Sequence, residues 1–350
     1  MENKNINFSC PVEINEVKKI LLAHGSGGRM SNDLIDKLFL SNFNNDFLNE
    51  KNDSAIINIE GIRFAFTTDS FVVKPIFFPG GNIGDLAING TVNDLAVCGA
   101  KPLFISVGLI IEEGFDISHL ELIVQSMKKA ADNSGVQIVT GDTKVVEKGS
   151  CDKIFINTSG IGVINKGINL SPKNCKPGDV IIINGGIAEH GIAVMASREG
   201  LEFETTIKSD TAALNRLTEQ VLSKSNRISM MRDPTRGGLS SSLNEIASVS
   251  HTVIEIEETS IPIKEEVKGA CEILGFDPLQ VANEGKLLLF VDESDADFIL
   301  DTMKKNPLGK DSSIIGKVVK DHPGVVTIKT SIGTSRIVEM LSGEQLPRIC

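Results

Sequence analysis

The stretch Gly84–Ile111, GDLAINGTVNDLAVCGAKPLFISVGLII, decides how this chain folds. The pattern from Gly84 to Cys98 is helical, with Leu86, Val92, Leu95 and Ala96 as the expected buried set. Gly99-Ala-Lys-Pro102 is the stop signal such a helix needs. Leu103–Ile111 is an apolar run of strand length, as expected of a buried strand.

The alternation of strand and helix continues in both directions. Upstream, Ser54–Ile59 and Arg63–Thr68 read as strands, with Asp69 at the end of the second. Downstream, Ile117–Ser134 is patterned as an amphipathic helix. Val136–Thr140 reads as a short strand delivering Gly141-Asp142-Thr143-Lys144, and Lys153–Val163 as another strand. Lys, Pro and Asn accumulate between residues 165 and 179, which places a domain boundary there. Beyond it come a strand at Val180–Asn184, helices around Gly191–Glu199, Ala212–Lys224 and Leu239–Ser250, and strands at Leu287–Val291 and Val325–Lys329. The pattern predicts α/β (α+β) domains with mixed sheets. A length of 350 residues suits two domains of roughly 150 residues each. The expected division is 1–165, 166–338 and a mobile tail at 339–350.

Composition narrows the functions. A net charge of −11 argues against general nucleic-acid binding, which needs clustered Lys and Arg, and against docking on anionic lipid. Trp and Tyr are absent, so aromatic stacking falls to Phe and His. The six cysteines form no C-x-x-C pair, which disfavours a zinc or iron–sulfur site. No signal peptide and no apolar stretch near the ~20 residues of a membrane span is evident. A reduced, cytoplasmic protein is expected.

Several motifs could carry chemistry. His24-Gly25-Ser26-Gly27-Gly28 lets backbone amides approach an anion closely and precedes a helix, although a flexible turn is the plainer alternative. Acidic residues recur at Asp69, Asp94, Asp142 and Asp233; each alone could be a helix cap or a solvated carboxylate. Together with the glycine loop and Lys144 they suit a nucleoside triphosphate with Mg²⁺, because hard cations join a few carboxylates to phosphates. The chain ends Gly343-Glu-Gln-Leu-Pro-Arg-Ile-Cys350. A ten-residue arm spans about 33–36 Å when extended, so a terminal thiol could visit a pocket and then leave it. An accidental cysteine in a disordered tail is the other reading.

These motifs occur together and in order: LLAHGSGGRM (21–30), FTTDSFVV (66–73), FFPGG (77–81), GTVNDLA (90–96), TGDTKVV (140–146), MRDPTRGGL (231–239), ANEGK (282–286) and PRIC (347–350). Over nearly its whole length the chain resembles the HypE family of hydrogenase maturation proteins. That family sits in a superfamily with aminoimidazole ribonucleotide synthetase and selenophosphate synthetase, and the terminal tetrapeptide sets it apart.

The resemblance implies a two-domain synthetase-like fold whose N-terminal domain forms a homodimer. It also implies ATP-dependent dehydration of an S-carbamoyl group on Cys350 to a thiocyanate. The carbamoyl donor would be the carbamoyltransferase HypF, and the cyanide would pass to iron on a HypC–HypD complex, for the [NiFe]-hydrogenase centre. By the same resemblance, His24, Gly25, Ser26, Gly27, Gly28, Thr68 and Asn93 contact ATP, and Asp69, Asp94 and Asp233 hold Mg²⁺ or face the phosphates. Asp142 and Lys144 lie near the transferred group, and Glu284 is the candidate base, unless it is a turn carboxylate paired with Lys286. Two segments depart from the family pattern. Gly81-Asn-Ile-Gly-Asp85 stands for Gly-Asp-Ile-Gly-Lys, and Ala188-Glu189 precedes His190 where Gly-Asp is usual. Selenophosphate synthesis, with Cys10 as its thiol, and a non-enzymatic carrier or scaffold are the competing readings.

Overall fold

The computed structural model describes residues 19–199, 207–320 and 324–343. The segment before the first sheet is a 3-10 turn, Leu22–Gly25, then helix α1 (Arg29–Leu34), which runs through a π-wound stretch, Ile35–Leu40, into short turns α2 (Ser41–Phe43) and α3 (Asp46–Asn49). Ile35, Leu38 and Phe39 of this stretch are exposed.

The first half is built on strands β1 (Ala55–Ile59) and β2 (Ile62–Phe71), the small hairpin β3 (Phe77–Phe78) and β4 (Gly81–Asn82), and helix α4 (Ile83–Val97). Strand β5 (Ala100–Glu112), helix α5 (Ile117–Ser134) and strands β6 (Gln137–Val146) and β7 (Ile154–Ile164) follow. The large sheet runs β1-β2-β7-β5-β6, with β5 and β6 parallel and the other pairs antiparallel.

Helix α4 is buried round almost its entire circumference, consistent with a sequence apolar on every side. It approaches the sheet so closely that a Cβ on Gly160 of β7 would come within 2.7 Å of the Thr91 methyl. One departure from the family pattern finds its purpose here. The Asn82 side-chain Oδ1 accepts the Gly84 amide at 2.8 Å, and Asp85 Oδ1 accepts the Asn82 backbone amide at 2.7 Å. Asn82 and Asp85 thus cap α4 reciprocally, satisfying two of its orphan donors.

The second half contains β8 (Asp179–Ile183), α6 (Glu189–Glu199), α7 (Asn215–Leu222), β9 (Ile228–Arg232), α8 (Gly238–Ser250) and β10 (Val253–Glu257). It continues with α9 (Glu265–Leu274), β11 (Leu288–Asp292), α10 (Glu293–Lys304), β12 (Ser313–Val319), β13 (Val325–Lys329) and β14 (Ser335–Ile337). Its sheet runs β14-β13-β10-β12-β8-β11-β9. Leu243, Ile254, Phe290 and Val326 fill one side, and Leu217, Leu289 and Ile299 the other. Helix α4 also touches α7 and β9, so one buried helix joins the halves.

The structure corrects two sequence readings. Asp142 and Lys144 do not follow a strand; β6 runs through both. The chain segment 339–343 is not free: Leu341 is buried, and its carbonyl accepts the Arg29 amide at 2.8 Å. Any free arm therefore starts no earlier than residue 344. Cys350 and Cys10 lie outside the described residues. No helix among the described residues is long and apolar enough to cross a membrane.

Candidate active site

Side-chain alternation along β2 sends Thr67 and Asp69 toward α4 and sends Phe66, Thr68 and Ser70 to the opposite, open face. Asp94 on α4 meets the first pair, its Oδ2 accepting the Thr67 hydroxyl at 2.8 Å. The β9–α8 junction brings Asp233, and the loop before β11 brings Glu284. These groups line one cavity of about 690 Å³ between the halves, with His24, Gly25 and Gly27 at its edge. Asp233 is not a helix cap, since Gly237 occupies that position on α8.

The cavity is an acidic site short of cations. Burial raises the proton affinity of Asp94 well above the carboxylate norm, and the neighbouring Asp233, Asp69 and Asp53 charges raise it further. Burial and Asp53 push Asp233 up to about 8, although Arg232 opposes them. Asp69 rises for the same first reason, burial, while Arg236 at 3.9 Å draws it back. Glu284 rises well above its usual range through burial, then through Asp210, Asp69 and Asp233.

Arg232 and Asp53 were not singled out in the sequence, yet they hold the pocket wall together. Arg232 Nε lies 3.1 Å from Asp53 and its Nη2 lies 2.6 Å from Glu245 of α8. Burial pulls the guanidinium down, but Asp53, Glu245 and Asp233 outweigh it and hold the group charged. Asp53 Oδ2 is buried with no hydrogen-bond partner. Arg232→Ala would leave Asp53 and Glu245 uncompensated. We expect it to cost roughly 3–5 kcal/mol, read by denaturant unfolding; a loss under ~1 kcal/mol would show that the clamp is incidental.

Several sequence candidates are placed differently. Asn93 is buried and committed: its amide donates to the Ala212 and Glu284 carbonyls at 3.0 and 3.2 Å, and its oxygen accepts the Leu214 amide at 2.8 Å. Both donors are used, so Asn93 fixes backbone rather than phosphate. Ser26 donates to the Ala23 carbonyl at 2.9 Å. Gly28 is needed for packing, because a Cβ there would overlap the Leu341 carbonyl; at Gly27, φ is +74° and a Cβ would lie 2.6 Å from the Arg236 carbonyl. Only His24, Gly25 and Gly27 of the loop line the cavity. Thr68 stands at its rim, with its hydroxyl donating to the Thr158 carbonyl at 2.9 Å.

Asp142 and Lys144 are outside the cavity altogether. They are 4.0 Å apart on the outermost strand, with side chains about three-quarters exposed (76% and 73%). Three strand spacings, about 14 Å, separate that strand from β2. The alternative pairing of Glu284 with Lys286 is also not made; Lys286 binds Glu189 and Asp210.

The carboxylate set fits a cation that arrives with phosphate. Among the described residues no three Asp, Glu, His or Cys groups stand ready as a metal cage. Mg²⁺ seldom uses one, keeping waters and binding one or two carboxylates plus phosphate oxygens. Mutual repulsion among Asp53, Asp69, Asp94 and Asp233 is what such an ion relieves, and the orphaned Asp53 oxygen is a ready acceptor.

The raised Asp233 carboxyl binds its proton more tightly folded than unfolded, so its contribution to stability drains as pH rises from about 4 toward about 8. Asp233→Asn is therefore expected to raise the melting temperature of nucleotide-free protein at pH 8 by several degrees, about 1–3 kcal/mol, and to flatten its fall with pH. A lower melting temperature for the variant at pH 8 would contradict this electrostatic account.

Comparison with known proteins follows the same lines. Residues 51–164 match the AIR synthase related protein N-terminal domain, and residues 176–329 match the C-terminal domain. The carbamoyl dehydratase HypE of Rhizobium leguminosarum bv. viciae is 51% identical over 333 residues, 95% of each chain. The chain belongs to the HypE family. A solved HypE–HypF complex matches with TM-score 0.84 at 51% identity, covering 88% of this chain and 99% of that one. A HypE solved with ATP matches with TM-score 0.81 at 46% identity, covering 93% and 98%. Family membership disfavours the selenophosphate synthetase alternative and makes the terminal cysteine the residue to explain.

Proposed function

We propose that this chain acts as a HypE carbamoyl dehydratase in hydrogenase maturation, using ATP bound in the acidic cavity to convert S-carbamoyl-Cys350 into a thiocyanate. The observation that carries the reading is where residues 340–343 are anchored. Met340 lines the cavity, the Leu341 carbonyl accepts the Arg29 amide, and the Ser26 hydroxyl donates to the Gly343 carbonyl at 3.4 Å. Seven residues remain to Cys350, a reach of roughly 23–25 Å. That length suffices for the sulfur to enter the cavity from its own rim.

The chemistry assigns work to the lining groups. An amide oxygen is a poor leaving group, so it must first be phosphorylated. The carbamoyl oxygen attacks the γ-phosphorus, the bond to the ADP oxygen breaks, and one N–H proton leaves. Loss of the second N–H proton then drives C–O cleavage, releasing phosphate and forming C≡N on sulfur. Glu284 is the base: a buried carboxylate with raised proton affinity is matched to proton transfer near neutral pH. Asp69, Asp94 and Asp233 would hold Mg²⁺, which would supply the charge that neutralises the phosphates. Arg236, on the cavity wall, adds a fixed positive charge.

Asp142 and Lys144 serve the site of a second copy. Cross-strand register puts Asp142 in one row with Gly108, Asn157 and Ser70, on the open face of the first sheet. Phe66, Phe104 and Ile161 are exposed on that face, and Thr68 and Ser70 connect it to the cavity. Two copies packed face to face bury this apolar surface and bring Lys144 of one toward the cavity of the other. HypF is the carbamoyl donor in this reading, in keeping with the solved HypE–HypF complex, and a HypC–HypD complex is the acceptor of cyanide.

The test is stoichiometry. Protein carrying one carbamoyl group should release one ADP and one phosphate per thiocyanate formed. ATP hydrolysis that proceeds equally without the carbamoyl group would reject dehydration as the reaction.

A further inference from the structure

Glu284 belongs to no helix or strand; the loop 281–287 carries it between a 3-10 turn and β11. Something other than a regular backbone must fix its carboxyl, and the neighbouring hydrogen bonds identify what does. Asp210 Oδ1 accepts the Glu284 amide at 3.2 Å, and Oδ2 accepts the next amide, Gly285, also at 3.2 Å. Its side chain is 2% exposed. On the carbonyl side, Asn93 holds Glu284 at 3.2 Å and Asn184 holds Gly285 at 3.1 Å. Gly285 must be glycine, since a Cβ there would overlap the Asp210 carbonyl.

The aspartate is itself held. Lys286 lies 3.3 Å from Asp210 and 3.2 Å from Glu189, and Glu189 is bound again by Lys264 at 2.5 Å. Burial opposes the charge on Lys286, but Asp210 and Glu189 together keep it protonated. The second departure from the family pattern belongs to this network. Ala188 takes the left-handed conformation at φ +71°, its amide donates to Asn283 at 2.7 Å, and Glu189 then turns inward to Lys286.

We propose that Asp210, braced by Lys286 and Glu189, is the positioning residue of the dehydration step, gripping two successive amides so that the Glu284 carboxyl is presented to the nucleotide cavity. This rests on the reading of Glu284 as base. A carboxylate is required because both clamp atoms must accept; an asparagine would turn an N–H₂ donor toward one of the two amide donors. The charge has a second effect. The charges of Asp210, Asp69 and Asp233 favour the protonated form of Glu284, and that of Arg236 opposes them. Removing the Asp210 charge makes Glu284 a weaker base as well as a displaced one.

The experiment is single-turnover dehydration by the full-length carbamoylated protein, followed against pH and ATP concentration. For Asp210→Asn we expect the rate at pH 7 to fall by about 10–100-fold, as for a misplaced catalytic group. Half-saturation by ATP should stay within about twofold, and the acid-side midpoint of the rate profile should move to lower pH. Asp210→Glu keeps the charge but lengthens the arm, so its rate should fall with the midpoint retained. An unaltered rate in either variant overturns the proposal, as does a slowed Asp210→Asn whose midpoint has not moved. Should Asp210→Asn fail to fold, Asp210→Glu decides alone by the same criteria. Glu284→Gln separates the two levels: if it keeps its rate, the base assignment is wrong; if it loses activity while Asp210→Asn does not, only the positioning role is wrong.

Discussion

Cys350→Ala is expected to bind ATP as the native protein does and to form no thiocyanate at all. The loss is complete rather than partial because, in the proposed reaction, the sulfur is the substrate's point of attachment, not an aid to a reaction that could proceed without it. ATP binding should survive because the cavity is built from β2, α4 and the β9–α8 junction, and the chain is already anchored by Leu341 and Gly343 before the terminal residues begin. Calorimetry with ATP and mass analysis of the carbamoylated product measure the two properties separately. A Cys350→Ala protein that still accepts and dehydrates a carbamoyl group places the carrier elsewhere. Cys98, Cys175 and Cys271 are poor substitutes, being buried thiols whose ionisation burial suppresses.

Lys144→Ala should lower the dehydration rate by about 10²–10³-fold, the usual cost of removing a charge that stabilises a transition state. It should do so although Lys144 lies outside the cavity of its own chain. Glu284→Gln should cost about 10²–10⁴-fold, as expected for loss of a general base. The informative result comes from mixing them. If each site takes Glu284 from one copy and Lys144 from the other, a Lys144→Ala/Glu284→Gln heterodimer carries one native site and one doubly defective site. Random reassortment of equal amounts then restores about a quarter of wild-type activity from two nearly inactive parents. No recovery, with exchange of subunits confirmed by mass, would mean that Lys144 acts on its own chain or not at all.

Much of the fold was legible in the sequence. The α4–β5 unit was readable because Gly99 and Pro102 mark its break and because Leu86, Val92, Leu95 and Ala96 give the helix an apolar set that must be buried. Strands β9, β10 and β12 were not recognised; they are five to seven residues long, too short for period alone to separate strand from helix. Strand β6 was cut short at Thr140 because Gly141-Asp142 reads as a turn, whereas here it continues an edge strand exposed on both faces. Local pattern cannot reveal a strand that is exposed on both faces.

The same limit applies to the site. Asp69, Asp94, Asp233 and Glu284 were found because each stands in a distinctive motif, and the fold brings them to one cavity. Asp53 was missed because Asn52-Asp53-Ser54 carries no such mark; its meaning depends on Arg232, which only the packing of β9 beside α4 supplies. Asn93 was given to phosphate by the family resemblance, through the motif it shares with Asp94, but a helix turns about 100° between neighbours, and Asn93 points instead to the backbone of residues 212, 214 and 284. Asp210 carried no sequence signal, since its function is to hold backbone amides.

The central claim is that the sulfur ending the chain carries the group being dehydrated. Intact protein carbamoylated by its donor and then digested should show the carbamoyl mass on the peptide containing Cys350, and addition of ATP with Mg²⁺ should remove the mass of one water from that same peptide. A carbamoyl group found on any other residue, or one on Cys350 whose mass stays constant while ATP is consumed, would contradict the account.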